Sequence, residues 1–483
     1  MTIDNPLERA IASAIINGES TPTKAPPRRK RRLERSKVTN DLDFDLRQFQ
    51  QSKHGVRLSA SNVAAITGFH PYSCLPKLMM DLIYQGTIGK RLLERDARLL
   101  NIQLTSEEQV LLDLANKAGV KEAFKKSVDV SKGKVEVNTI QEANNIKQNI
   151  VRKAKKAGKL NQSELKQLSE GIRHNVNTGY GKVNEDDALN MYEKACGWEV
   201  HVRNEEFRIW NFKRHTINDI ETVEPLGDAE VIPPRIFDNN SDCYKQEKNE
   251  IIIIDSDDES TKEDNPSPAN GSECTIRPFF SIIGIADGVR DELYHNSDST
   301  TSTDDEWQMR KVVVECKHRM RCATTPPPFY DQLQSVVYCF MYNTSESDLI
   351  QIVRTKKSKK GHRKRDDTES DCPHDEDALS VESTEEKPIS PPSSAKISIT
   401  TSRVSLNDQV MKHRENWFNV ILPRLRQFVD VVYEFRCNDD KRYCLLAAIA
   451  SSDDENDETV WSKLFDELPY LKDCDIAFFR SKY

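Results

Sequence analysis

The run Lys311-Val312-Val313-Val314, leading into Glu315-Cys316-Lys317, constrains this chain more than any other stretch. Successive β-branched residues in a short apolar run read as a buried strand. Side chains alternate across a strand, so Glu315 and Lys317 project together while Cys316 points away. A second carboxylate, Asp287, closes another apolar run, Phe279-Phe280-Ser281-Ile282-Ile283-Gly284-Ile285. If the two runs pair, Asp287, Glu315 and Lys317 meet at one rim. Two carboxylates suit a hard divalent cation such as Mg²⁺, with Mn²⁺ as a substitute. A neighbouring lysine can orient a water and stabilise phosphoryl charge. The plain alternative is two strands whose charged ends are merely solvated.

Other segments fall in a suggestive order. Leu58-Ser59-Ala60-Ser61-Asn62 opens the helix-like stretch Ser61–Thr67, which Gly68 ends. Glu185-Asp186-Asp187-Ala188 opens a second helix, Ala286-Asp287-Gly288 ends a strand, and Glu315-Cys316-Lys317 ends another. Gln332-Leu333-Gln334-Ser335-Val336-Val337-Tyr338 lies on a helix over Phe329–Asn343. These five segments, in this order, resemble the PD-(D/E)xK nuclease superfamily, in particular its lambda-exonuclease-like or YqaJ-type viral recombinase group. The resemblance covers roughly 55 to 345. It implies an α/β fold: a mixed sheet flanked by helices, with a restriction-endonuclease-like core. It also implies that Asp287 and Glu315 hold the metal, with the Cys316 carbonyl and Glu185 as further ligands, directly or through water. Lys317 would position the attacking water, while Gln332 and Tyr338 would line the site. Ser61, with Arg57 beside it, would contact a DNA phosphate; a plain helix cap explains Ser61 as well. Two positions depart from the pattern: Ala286 stands where the family has Pro, and Ile285 where relatives often carry a small polar residue.

Charge is segregated along the 483 residues. Asp238–Cys274 carries −8, Asp366–Glu386 −10 and Asp298–Glu306 −4, against +6 on Arg28–Lys37 and +7 on Lys356–Arg365. Setting these aside turns a net −8 into about +1, so bulk charge neither selects nor excludes a nucleic-acid partner. Eleven cysteines without a Cys-x-x-Cys pair read as buried, reduced thiols of an intracellular protein, with Cys74, Cys196, Cys339 and Cys444 among apolar neighbours. No apolar run approaches the ~20 residues of a membrane span. Met1–Ser20, with three acidic residues and one arginine, reads as neither a secretory signal nor a transit peptide.

The organisation expected is a disordered basic tail over 1–40 and a nuclease-like core over 41–345. That core is interrupted by a helical insertion at 88–170 and a disordered acidic insertion at 238–275. A disordered charged loop follows over 346–402, then a C-terminal helical part, 403–483, packing on the core. Its main element is a long helix, Leu406–Phe435, whose apolar stripe includes Trp417, Phe418, Ile421 and Leu425. Within the helical insertion, Lys121–Lys166 has twelve basic and five acidic residues. This reads as a solvated helix face, or as a clamp that tracks phosphates.

Ile251-Ile252-Ile253-Ile254, followed by Asp255, Ser256, Asp257, Asp258 and Glu259, looks like a SUMO-interacting motif. Four β-prone aliphatics can add an edge strand to a partner sheet while the acids meet basic residues beside it. Arg28–Arg32 and Lys356–Lys360 read as nuclear-import signals. The function expected is therefore a metal-dependent DNA nuclease, exonuclease rather than endonuclease, in the nucleus, serving repair, recombination or a mobile element. The alternative is a catalytically inactive nuclease-fold module that binds DNA or a SUMO-bearing protein, or a nuclear regulatory scaffold.

Overall fold

In the computed structural model the described residues are 55–70, 74–217, 220–232, 278–295, 307–356, 395–451, 458–472 and 474. The SUMO-type motif at Ile251–Ile254, the acidic insertion at 238–275, the basic run Arg28–Arg32 and the tail 1–40 lie outside them. The described residues belong to one unit, Lys53–Tyr483.

Val312, Val313 and Val314 are fully buried because their strand has a neighbour on each side and a helix on each face. In chain order the strands are β1 (Val56–Ser59), β2 (Val200–His201), β3 (Phe207–Ile217), β4 (Ile220–Pro225) and β5 (Glu230–Ile232). Then come β6 (Phe280–Gly284), β7 (Gly288–His295), β8 (Trp307–His318), β9 (Glu346–Lys356) and β10 (Ala395–Ser405). One sheet has the order β10-β9-β8-β7-β2, the other β1-β6-β3-β4 with β5 also on β3. Both are mixed: β8 runs parallel to β9 and antiparallel to β7, and β1 runs parallel to β6. The protein is thus α/β, with two mixed sheets flanked by helices.

The helices are α1 (Val63–Ile66), α2 (Leu75–Ile83), α3 (Gly86–Leu99), α4 (Glu107–Lys117), α5 (Lys121–Ser131), α6 (Ile140–Ala157) and α7 (Gln162–Val183). They continue with α8 (Glu185–Cys196), α9 (Phe329–Met341), α10 (His413–Asn416), α11 (Leu422–Cys437), α12 (Asp439–Ser451) and α13 (Glu458–Glu467). Helix α8 covers one face of the first sheet, where Ala188, Leu189 and Tyr192 meet Val314, Cys316, Ile350 and Ile352. Helix α9 packs on β8 and β9 and reaches across to α1. Among the described residues no helix is long and apolar enough to cross a membrane.

Several expectations change. The runs 279–285 and 311–315 do not pair: β6 belongs to one sheet, and it is β7 that lies against β8. The chain crosses between sheets at Ile285-Ala286-Asp287. Two glycines make this corner possible. A Cβ on Gly284 would lie 2.8 Å from Tyr338 Cε1 and 3.0 Å from Ala60 Cβ, and one on Gly288 would lie 2.3 Å from Val200 Cγ1. The segment 346–402 is not loop throughout, because its flank Glu346–Lys356 pairs antiparallel along its length with Ala395–Ser405. The long helix starts at His413 rather than Leu406, and a π turn over Trp417–Ile421 precedes Pro423. Proline offers no N–H and crowds the preceding turn, and the wider turn accommodates it. In the apolar stripe Phe418 is 48% exposed, and Cys444 is exposed rather than buried.

The helical region runs on to Val183 and has a core of its own. Phe124, Val130, Ile150, Leu168, Ile172, Val176 and Tyr180 cluster there, joined to the sheet by Val353, Met320 and Ala323. Its helices are locally well specified. At the start of α7, Asn161 accepts from the Glu164 N–H (2.8 Å) while Glu164 accepts from the Asn161 N–H (2.9 Å), a capping box. On the first sheet, Asp348 is bound by Arg290 (2.8 Å) and Arg403 (2.6 Å), and Glu292 accepts from Arg310 (2.9 Å) and Arg403 (3.0 Å). The C-terminal helices close over α2, and Tyr470 donates to the Ile66 carbonyl (2.6 Å).

Candidate active site

Strand alternation on β8 points Glu315 and Lys317 toward α9, while Cys316 faces α8. Lys317 Nζ donates to Glu315 Oε1 (2.8 Å) and to Gln334 Oε1 (2.8 Å). Gln334 Nε2 donates back to Glu315 Oε1 (2.9 Å) and lies 3.5 Å from the Tyr338 hydroxyl. Carboxylate, ammonium and amide thus hold one another. Asp287 joins from the sheet crossing, its Oδ2 accepting from the Cys316 backbone N–H (2.6 Å). The three residues therefore meet, although by a corner between sheets and not by pairing of the two apolar runs.

The electrostatics are those of crowded, buried carboxyls. Burial raises Asp287 well above the usual carboxylate range, and the charges of Glu315 and Glu185 push it further. Burial likewise raises Glu315 against the opposing pull of Lys317. Burial alone would lower Lys317, but Glu315 and Asp287 outweigh it, so the lysine stays an ammonium. Glu185 stands at the start of α8, close enough for its charge to act on both carboxyls. Its Oε1 accepts from Asn204 Nδ2 (2.7 Å), and Asn204 has the positive φ of 51° that asparagine tolerates.

Of the two α9 residues expected to line the site, one sits differently. Gln332 is buried and donates to the Pro327 carbonyl (2.7 Å), so it anchors the start of α9 instead of lining the site. Tyr338 lies beside Gln334 with its hydroxyl inward. Arg57 is on β1, where its backbone N–H and carbonyl both bond the Gln85 side chain at 2.9 Å. Ser61 is exposed in the 3₁₀ turn Ala60–Asn62, its hydroxyl 2.8 Å from that of Ser59. That turn packs on α9 next to Tyr338.

Gln334 is the residue that sequence reasoning missed. Gln334 and Tyr338 are four apart and share a helix face, whereas Gln332 and Tyr338, six apart, do not. Asp331, ion-paired with Arg319, and His70, whose ring lies 4.4 Å from that of Tyr330, flank the cluster. The charges of both Asp331 and Lys317 act on His70.

Among the described residues no three His, Cys, Asp or Glu groups converge closely enough to hold an ion by themselves. The donors are Asp287 and Glu315, with Glu185 further out. They nevertheless suit a divalent cation in one respect: Glu315 Oε2 is buried without any hydrogen-bond partner. An unpaired buried carboxylate oxygen is costly, and a cation would satisfy it. Mg²⁺ in particular uses one or two carboxylates and completes its shell with water and substrate phosphate. No protein-family model, curated protein or solved structure matches the chain.

Proposed function

We propose that this chain is a Mg²⁺-dependent nuclease that hydrolyses phosphodiester bonds in DNA, acting at ends rather than internally. The observation that carries the reading is the buried Asp287–Glu315–Lys317 cluster with its unsatisfied Glu315 oxygen. Asp287 and Glu315 would hold the ion, helped by the Cys316 carbonyl and by Glu185 through water. The ion would supply Lewis-acid polarisation of the phosphate and a water of lowered pKa. Lys317, kept protonated by its carboxylate neighbours, donates hydrogen bonds to the attacking water and to charge developing on the phosphoryl oxygens. Gln334 fixes the separation of Lys317 and Glu315. The Tyr338 hydroxyl stands beside that amide as a further donor. Nuclear residence and SUMO recognition through Ile251–Ile254 complete the proposal, carried by the sequence motifs alone.

A second reading is favoured by one observation: no three ligands converge among the described residues. On that reading the chain is an inactive nuclease-fold module that binds DNA or a SUMO-bearing partner.

The test compares wild type with Lys317→Ala on end-labelled linear and closed circular DNA, with Mg²⁺ or Mn²⁺ and with EDTA. The expected result is metal-dependent loss of the linear substrate, reduced about 10²–10³-fold in the variant, the scale set by removing one preorganised donor. Equal behaviour of the two proteins on single and double strands supports the binding module.

A further inference from the structure

The helical unit carries two very different charged faces. On the α4–α5 side four lysines are paired, Lys117 with Glu164, Lys125 with Glu122, Lys132 with Glu108 and Lys134 with Asp129, while among the described residues Lys121 and Lys126 are not. On the α6 side the lysines are unpaired. Helix α6 holds five basic residues and one acid, Glu142. Among the described residues Lys147, Lys153, Lys155 and Lys156 have no ion-pair partner. The same holds for Arg173 on α7 and for Arg321 on the loop after β8.

Packing brings three of these together. Ile146, Ile172 and Met320 belong to one apolar cluster, and Lys147, Arg173 and Arg321 are their immediate chain neighbours. Burial, with the charges of Arg173 and Arg321 added, pulls Lys147 below its usual value, and no carboxylate opposes this. At the far end of α6, Lys153 and Lys156 line an open groove of about 710 Å³ together with Lys121 and one acid, Glu122. Arg321 lies four residues beyond Lys317, and Met320 and Ala323 tie that loop to the helical core. Two sets of unpaired cations thus stand on and beside α6: Lys153 and Lys156 at the outer groove, and Lys147 with Arg173 and Arg321 near the end of the strand that bears the candidate site. At Lys147, Arg173 and Arg321 like charges stand together with no carboxylate acting on Lys147, which is costly to a fold and suits a polyanion.

Building on the nuclease reading, we propose that α6, Arg173 and Arg321 form a track for the phosphate backbone of the nucleic acid, guiding it toward Lys317 and Glu315. Spaced cations along a helix fit the regular charge of a nucleic-acid strand, and such binding releases counterions.

The test measures binding of the full chain to a labelled DNA duplex in EDTA, so that no cleavage is needed, across a range of salt. Lys147→Gln/Arg173→Gln/Arg321→Gln is compared with Lys125→Gln/Lys132→Gln/Lys134→Gln, which removes the same charge from the paired face. The first variant is expected to weaken binding about tenfold or more and to flatten the slope of log K against log salt by about 2–3, while the second leaves the slope unchanged. Equal slopes for wild type and the first variant, or equal flattening by both variants, overturn the track. So does displacement of DNA by poly-glutamate at matched charge, which assigns the face to an acidic polypeptide. A slope difference in a protein that never cleaves DNA keeps the track and removes the nuclease; cleavage with unchanged slopes does the reverse.

Discussion

Asp287 contributes to the candidate site at the expense of the metal-free fold. Its carboxyl is buried beside Glu315, and its raised pKa means that the folded state resists ionisation. Between the unfolded and folded pKa values the folded protein binds more protons, so its stability falls as pH rises through that window. Asp287→Asn keeps an acceptor for the Cys316 N–H and removes the charge. In EDTA at neutral pH it is expected to raise the melting temperature by a few degrees while abolishing cleavage, as activity–stability trade-offs do. A melting temperature at or below wild type counts against the electrostatic account. The two glutamines of α9 separate in the same manner. Gln334→Ala is expected to lower the rate about tenfold or more through loss of Lys317 positioning, with little change in stability. Gln332→Ala leaves the Pro327 carbonyl unpaired and is expected to cost about 1–3 kcal/mol in denaturant unfolding. The opposite pattern of rate and stability reverses their roles. At this scale the sequence was partly legible. Strand alternation alone placed Glu315 and Lys317 on one face. Gln334, not Gln332, shares the helix face of Tyr338, which residue type weighed without the helical angle does not show.

Elements were legible where local pattern decides them and obscure where distant partners do. Apolar runs and residue pattern marked β8, α8 and α9 because those signals are local. The partner of β6 is set instead by packing of Gly284 against Tyr338 and Ala60, residues far away in sequence. Strands β9 and β10 were hidden by charged, low-complexity chain between them, which carries no periodicity to read. Their pairing is supported by a charge ladder across the sheet. Burial alone would raise the Glu292 carboxyl, yet Arg403 and Arg290 hold it down at about 2. The sign follows from that depression. The contribution is fully present above the unfolded value near 4.5 and is lost as pH falls toward about 2. Glu292→Gln is expected to cost about 1.5–3 kcal/mol at pH 7, the range for hydrogen bonds to charged groups. Its deficit relative to wild type should shrink through that acid window in denaturant titrations. A deficit independent of pH would mean that shape, not charge, is what Glu292 supplies.

For the whole molecule, the cation should be legible in stability as well as in rate. The buried Glu315 oxygen without a partner and the two raised carboxyls penalise the metal-free state. A ligand that binds only the folded chain stabilises it by mass action, about 2.7 kcal/mol at a concentration one hundred times its dissociation constant. Mg²⁺ added to EDTA-treated wild type is therefore expected to raise the melting temperature in a saturable manner. Glu315→Gln should start from a higher metal-free value and show no such rise. The comparison uses stability and so separates two questions that cleavage joins. A saturable rise without cleavage describes a fold that has kept its ion and lost its chemistry. No rise in wild type, with Glu315→Gln indistinguishable from it, removes the ion from the site and with it the metal-dependent mechanism. A rise in wild type that Glu315→Gln abolishes, together with cleavage that Lys317→Ala abolishes, ties ion, carboxylate and ammonium to one reaction centre.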